Sequence, residues 1–81
     1  MQYVYVLRSK KDNKLYIGCT ASIEKRLLQH NCGKVRSTKG RLPLELVYQE
    51  AYADTYEAFR MERFYKTPKG KKELHKNCQI V

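Results

Sequence analysis

Residues 2 to 8 alternate Tyr3, Tyr5 and Leu7 against Val4, Val6 and Arg8. A period of two marks a strand, and apolar side chains in both phases require cover on both of its faces. The polar cluster from Ser9 to Lys14, with Asp12-Asn13 inside it, reads as a hairpin loop. A second strand returns from about Leu15 to Cys19. With 81 residues in all, such a chain buries only about 60% of its unfolded surface, so the hairpin must sit within one small core.

The rest of the chain supplies the cover. Ser22 is placed to cap a helix whose first turn carries Glu24, complementing the positive end of the helix dipole. Ile23, Leu27 and Leu28 form its apolar stripe, and Gly33 offers a C-cap after Asn31. Residues 33 to 42 read as a Gly-punctuated basic loop. Pro43 opens a third strand, in which Leu44, Leu46 and Tyr48 alternate with Glu45, Val47 and Gln49. Asp54 with Glu57 makes a capping box for a second helix bearing Ala58, Met61 and Tyr65 on one face. Thr67-Pro68 reads as the N-cap and first residue of a third helix. The expected fold is α+β: a small three-stranded antiparallel sheet flanked by helices, in β-β-α-β-α-α order. No repeat or linker divides it, so residues 1–81 are expected to form a single domain.

Charge narrows the partners. Lys and Arg number 17 against 8 acidic residues, a net charge of +9. An excess of that size favours polyanions through counterion release, and nucleic acid is the commonest of these. No apolar run approaches the ~20 residues of a membrane span, and no stretch reads as a signal peptide. The three cysteines, Cys19, Cys32 and Cys78, are odd in number and irregular in spacing, which suits a reducing, cytoplasmic setting rather than a disulfide framework. His30-x-Cys32 with His75-x-x-Cys78 could supply four zinc ligands, but the spacings match no compact zinc module.

Tyr3-Val4-Tyr5, then Tyr16-Ile17-Gly18, then Arg26 and His30, then Glu62, follow one another in the order found in GIY-YIG nucleases, and the chain resembles that superfamily. Within it, the chain looks most like the compact UPF0213, or YhbQ-like, group. The second tripeptide is intact; the first reads Tyr-Val-Tyr in place of Gly-Ile-Tyr. The likeness continues through His30-Asn31-Cys32-Gly33-Lys34, Thr38-Lys39-Gly40-Arg41-Leu42-Pro43, Leu46-Val47-Tyr48 and the stretch from Tyr56 to Glu62. It implies a phosphodiester-cleaving endonuclease on a three-stranded sheet. It also departs in places. Cys19 stands where several of these nucleases carry lysine, and Asn77 is the nearest counterpart of their late asparagine.

Cutting a phosphodiester needs an activated water, a cation beside the phosphate and a donor for developing charge. Glu62 borders the buried face of the second helix, where a lone carboxylate can hold Mg²⁺ (or Mn²⁺) with waters and substrate phosphate completing the shell. The plainer alternative is a surface Glu62–Lys66 pair. The resemblance favours the metal role, since the family's metal glutamate falls here. Arg26 and His30 lie one turn apart and project from one helix face. Arg suits phosphate oxygens, and His can pass a proton or a hydrogen bond to the same group. A solvated face is the alternative; in the family the arginine is catalytic. The resemblance brings Tyr5 and Tyr16 to the attacking water, while composition alone also allows both to be core aromatics, with Tyr3 a competitor. Gly18 lets the backbone turn closely beside the site.

Lys34, Arg36, Thr38, Lys39 and Arg41 read as a clamp on the phosphate backbone, and Lys69, Lys71 and Lys72 of the third helix as a second basic patch. No base-reading module is recognisable. The expectation is therefore a monomeric, Mg²⁺-dependent DNA endonuclease, with RNA not excluded as substrate. Its specificity would rest on substrate structure or on a protein partner. The alternative is a nucleic-acid-binding module of the same fold with little activity.

Overall fold

The computed structural model describes residues 1–78, with side chains through Lys76. Three strands, β1 (Gln2–Ser9), β2 (Leu15–Thr20) and β3 (Leu44–Tyr52), form an antiparallel sheet in the order β2-β1-β3. The helices are α1 (Ile23–Asn31), α2 (Thr55–Tyr65) and α3 (Pro68–Cys78). The β-β-α-β-α-α order is the one expected from the sequence.

The doubly apolar strand occupies the centre, as its composition requires. Val4, Tyr5, Val6 and Leu7 of β1 are all buried. Val4 and Val6 meet Ile17, Ala58, Tyr65 and Leu74 on the α2–α3 face of the sheet. Tyr5 and Leu7 pack with Leu44, Ile23 and Leu27 on the α1 face. Fully burying each aliphatic side chain of this kind contributes about 1.5–3 kcal/mol. Two thin cores therefore share one central strand. The β1–β3 ladder carries a bulge between Val6 and Leu7.

Local signals set the helix ends. Ser22 is the N-cap residue of α1 but makes no side-chain capping bond. The Thr20 hydroxyl accepts the Ser22 N–H at 3.1 Å and donates to its carbonyl at 3.2 Å, so the turn is closed from the strand side. Gly33, at φ +77, ends α1 as expected. Its N–H reaches the His30 carbonyl while Lys34 N–H reaches that of Gln29, the two bonds of a Schellman cap. Leu28, expected within the apolar stripe, is 65% exposed. The buried side of α1 instead runs through Ile23, Leu27 and His30, so a histidine holds the position that hydrophobicity alone assigned to leucine. Asp54 caps α2 through the Tyr56 N–H, and Thr67 caps α3 through the Gly70 N–H. Within the expected loop, Lys39–Arg41 form a short 3-10 turn.

Two polar ties hold the layers in register. The Asn31 side chain donates to the Leu44 carbonyl (3.2 Å) and accepts its N–H (2.9 Å), fastening the end of α1 to the start of β3 as a strand neighbour would. Glu50, half-buried on β3, accepts hydroxyls from Tyr48 (2.7 Å), Tyr52 (2.9 Å) and Tyr65 (2.8 Å). The last of these anchors α2 to the sheet. Burial, and then the Glu50 carboxylate, push the Tyr52 phenol up to about 12 and raise that of Tyr65 as well.

At the α2–α3 corner the chain leaves no room for a side chain. A Cβ on Gly70 would lie 1.8 Å from the Phe64 carbonyl oxygen and 2.8 Å from Tyr65 Cα. Both are backbone atoms, so relief requires the helices to part. Gly70→Ala is expected to lower stability by about 1–3 kcal/mol, the usual range for overpacking, despite alanine's better helix propensity. Equilibrium urea unfolding measures it; an alanine variant as stable as the parent would contradict this packing.

Candidate active site

Tyr5 and Gly18 face each other across the β1–β2 ladder. The Tyr5 ring crosses directly over the glycine: a Cβ there would stand 2.5 Å from the Tyr5 hydroxyl oxygen and 2.6 Å from Cζ. The glycine of Tyr16-Ile17-Gly18 is thus the space the Tyr5 phenol occupies. That placement aims the hydroxyl at α1, where Arg26 and His30 project from adjacent turns.

The resulting contacts form a chain. Arg26 Nε donates to Tyr5 Oη at 3.4 Å, Tyr5 Oη meets His30 Nε2 at 3.1 Å, and His30 Nδ1 meets Thr38 Oγ1 at 2.8 Å. Thr38 Oγ1 in turn donates to the Val35 carbonyl at 3.4 Å. Arginine can only donate and a carbonyl can only accept. The orientation that gives the Tyr5 hydroxyl an acceptor therefore runs from Arg26 through Tyr5 to His30 Nε2, then from His30 Nδ1–H to Thr38. This assigns His30 as the neutral Nδ1–H tautomer. Burial, and secondarily the Arg26 charge, hold the imidazole below its ordinary range, which agrees with a neutral ring. Tyr16 completes the cluster, its ring centroid 5.0 Å from that of His30 and 6.3 Å from that of Tyr5.

Exposure separates the two tyrosines. Tyr5 is 2% exposed, and burial pushes its phenol up in spite of the opposing hydrogen bond from Arg26. Tyr16 is half-buried and open to water. His30, expected to reach a phosphate itself, is wholly buried; it lies behind Tyr5 and touches the site through that hydroxyl. Thr38 departs from expectation in the same way. It was assigned to the phosphate clamp, yet it is fully buried and bonded to His30, because the 3-10 turn folds its hydroxyl inward.

Glu62 comes from the opposite side of the sheet, on α2, which packs against β1 and β2. Its side chain is 19% exposed, and Lys66 Nζ donates to its Oε2 at 2.9 Å. Its charge nevertheless reaches Tyr5 and Cys19, raising both as a lesser influence behind burial. β2, against which α2 packs, is an edge strand of the sheet. Cys19 sits there half-buried, its sulfur accepting a hydrogen bond from Gln2 Nε2 at 3.6 Å. Among the described residues no three His, Cys, Asp or Glu side chains gather into a metal-binding group. A single carboxylate with an uncommitted Oε1 still fits Mg²⁺, which keeps most of its waters and takes its remaining ligands from phosphate.

The basic residues divide by location. Lys34, Arg36 and Lys39 are exposed on the loop that carries Thr38, while Arg41 is half-buried at its end. Lys69 and Lys72 lie together on one face of α3 with Lys76, and Lys71 turns toward the hairpin and Arg41. The Asn77 side chain lies outside the described residues. Sequence reasoning overlooked Asn31 and Glu50, both of which hold elements in place. The Tyr48-x-Glu50-x-Tyr52 alternation carried the signal for Glu50, since a period of two puts all three on one face.

Residues 1–76 match the model of the GIY-YIG catalytic domain. A UPF0213 protein of Staphylococcus haemolyticus is 47% identical over 66 residues, covering 80% of this chain and 79% of its own. One from Streptococcus agalactiae is 40% identical over 83 residues, covering 95% and 93%. The solution structure of a UPF0213 protein from Bacillus halodurans is similar, with a TM-score of 0.56 at 36% identity, over 91% of this chain and 82% of that one. With its Tyr-Ile-Gly strand, its helix-borne Arg26 and its α2 glutamate on one small sheet, this chain belongs to the GIY-YIG family, among the UPF0213 proteins.

Proposed function

We propose that the protein is a Mg²⁺- or Mn²⁺-dependent endonuclease that hydrolyses phosphodiester bonds of DNA. The observation that carries this reading is the Arg26–Tyr5–His30–Thr38 chain beside the open β2 edge. A protein that merely binds nucleic acid has no use for a buried, fully partnered relay ending in an arginine. When bound at Glu62, the metal supplies positive charge to the phosphate and to the attacking water.

The chain's own residues do the rest. Tyr5 fixes Arg26 through Nε, and Gln29 accepts from its Nη1 at 3.1 Å. The guanidinium is thereby held in one orientation, its remaining N–H groups available to the charge that develops on the phosphoryl oxygens. Tyr16, the more accessible phenol, orients the water. Tyr5, buried and harder to ionise, acts as a positioning residue, and His30 and Thr38 keep its hydroxyl aimed. Lys34, Arg36, Lys39 and Arg41 attract the backbone without reading bases. Among the described residues, no helix is long and apolar enough to cross a membrane.

The Glu62–Lys66 ion pair favours one competing reading, a binding module in which the carboxylate is neutralised internally. Glu62→Gln decides between the two. It removes the hard anionic ligand while keeping the size, so cleavage of duplex, flapped and branched DNA in Mg²⁺ is expected to vanish while metal-free DNA binding persists. A variant that cuts like the parent, or a parent that cuts neither DNA nor RNA in Mg²⁺ or Mn²⁺, would overturn the proposal.

Loss of Arg26 tests the charge-stabilising role. Arg26→Ala is expected to lower the single-turnover rate by about 10²–10³, with only partial recovery in Arg26→Lys, whose point charge cannot reproduce the fork. Tyr16→Phe should cut the rate strongly at nearly unchanged affinity. Tyr5→Phe should slow the reaction by releasing Arg26 from its hold on Nε. Parental rates in folded Phe variants would make both tyrosines packing residues.

A further inference from the structure

The reading above places the reacting phosphate at one end of β2's open edge. A second concavity lies at the other end. The β1–β2 hairpin, the 3-10 turn and α3 together enclose a cavity of about 370 Å³ lined by Lys14, Arg41, Lys71 and His75, with Asn13 and the apolar edge of β2 as floor. Among the described residues no carboxylate lines it. Three separate elements bring their basic side chains to one point, which an evenly solvated surface does not require.

The cleft is also built rather than loose. Asn13, at φ 61, turns the hairpin, and its N–H is held by the Ser9 carbonyl at 2.8 Å. Ser9, itself fully buried, donates from Oγ to the Arg41 carbonyl at 2.6 Å, and Lys11 Nζ reaches the Gly40 carbonyl at 3.3 Å. Asp12 lies 3.5 Å from Arg41 Nε and steadies the guanidinium from outside the lining. On α3, Lys71 and His75 are one turn apart, and the buried Leu74 fixes the helix rotation that presents them. Thr38 and Arg41 occupy the same short turn, so the segment that orients His30 also sets one wall of the cleft.

From these observations we infer that the Lys14–Arg41–Lys71–His75 cleft is a second phosphate subsite, seating a backbone phosphodiester of the same nucleic-acid strand that is cut at Gly18 and Glu62. The inference rests on the nuclease reading and adds to it a defined strand path along the open edge of β2. Leu15 and Gly18 are three residues apart, which spans about 10 Å of strand. Phosphates of one duplex strand recur every ~3.4 Å along the axis. Because the backbone also winds about the axis, that rise is a lower limit on phosphate spacing. The seated phosphate is therefore at most about three nucleotides from the scissile one, and the substrate must extend past the cut on the hairpin side.

Binding of fluorescein-labelled duplex DNA to the full chain, without metal and across a salt series, tests this independently of cleavage. Lys14→Gln with Lys71→Gln should weaken binding several-fold and flatten the log K against log salt slope by about 0.9, the value for one phosphate on B-DNA. Lys69→Gln with Lys72→Gln removes the same charge from another face of α3 and should do distinctly less. Amide NMR spectra should show Asn13, Lys14, Arg41 and Lys71 moving with a short oligonucleotide at concentrations where inorganic phosphate leaves them still. Equal losses in the two double variants would overturn the subsite, as would silent cleft amides or an equal response to phosphate alone. The nuclease reading survives each of those results so long as Glu62→Gln abolishes cleavage.

Discussion

The contact between the Tyr5 hydroxyl and the bare backbone of Gly18 organises this molecule. A phenol within 2.5 Å of where a Cβ would stand is possible only because that residue is glycine. Once the ring lies there, its oxygen is delivered to the inner face of α1. The oxygen then fixes Arg26 on one side and His30 on the other. His30 must be buried to complete the chain, and a buried imidazole needs partners on both nitrogens. Thr38 supplies the second, which pulls the basic loop inward and gives it a 3-10 turn. Packing, helix orientation and loop shape thus descend from one close approach in the sheet.

Much of this was legible in the chain. The doubly apolar β1, the hairpin polar cluster, the Gly33 and Thr67 caps and the Asp54 N-cap are all short-range signals, and each took effect where the local pattern put it. Arg26 and His30 could be named as neighbours from helical spacing, whereas Tyr5 and Tyr16 joined them only through the family resemblance. What the pattern could not supply was depth. Leu28 outranks His30 on any hydrophobic scale, yet α1 buries the histidine and exposes the leucine, since the hydrogen bonds that compensate burial come from residues 25 positions earlier and 8 later. Thr38 looked like a phosphate contact for the same reason: its partner is remote in sequence.

Glu50 and Glu62 show how environment divides two carboxylates facing the α2 layer. Glu50 accepts three phenolic hydroxyls and serves as a strut between β3 and α2. Glu62, one turn before Tyr65, pairs among the described residues with a half-exposed lysine, a partner that solvent or substrate can replace at little cost. The first is committed to structure; the second is the carboxylate to which the metal role is proposed. The anchoring of Tyr65 by Glu50 also fixes the helix that carries Glu62, so the strut and the site are one mechanical unit.

The account depends most directly on His30 being a neutral relay rather than a free acid or base. Its ring nitrogens can be observed by ¹⁵N NMR of the histidine-labelled protein across a pH series. A ring buried between Tyr5 and Thr38 should appear as the Nδ1–H tautomer and should titrate only below the ordinary imidazole value of about 6.5, with Tyr5→Phe perturbing Nε2 alone. An Nε2–H tautomer, or protonation at the ordinary value with no response to Tyr5→Phe, would mean that the chain from Arg26 to Thr38 does not exist as described.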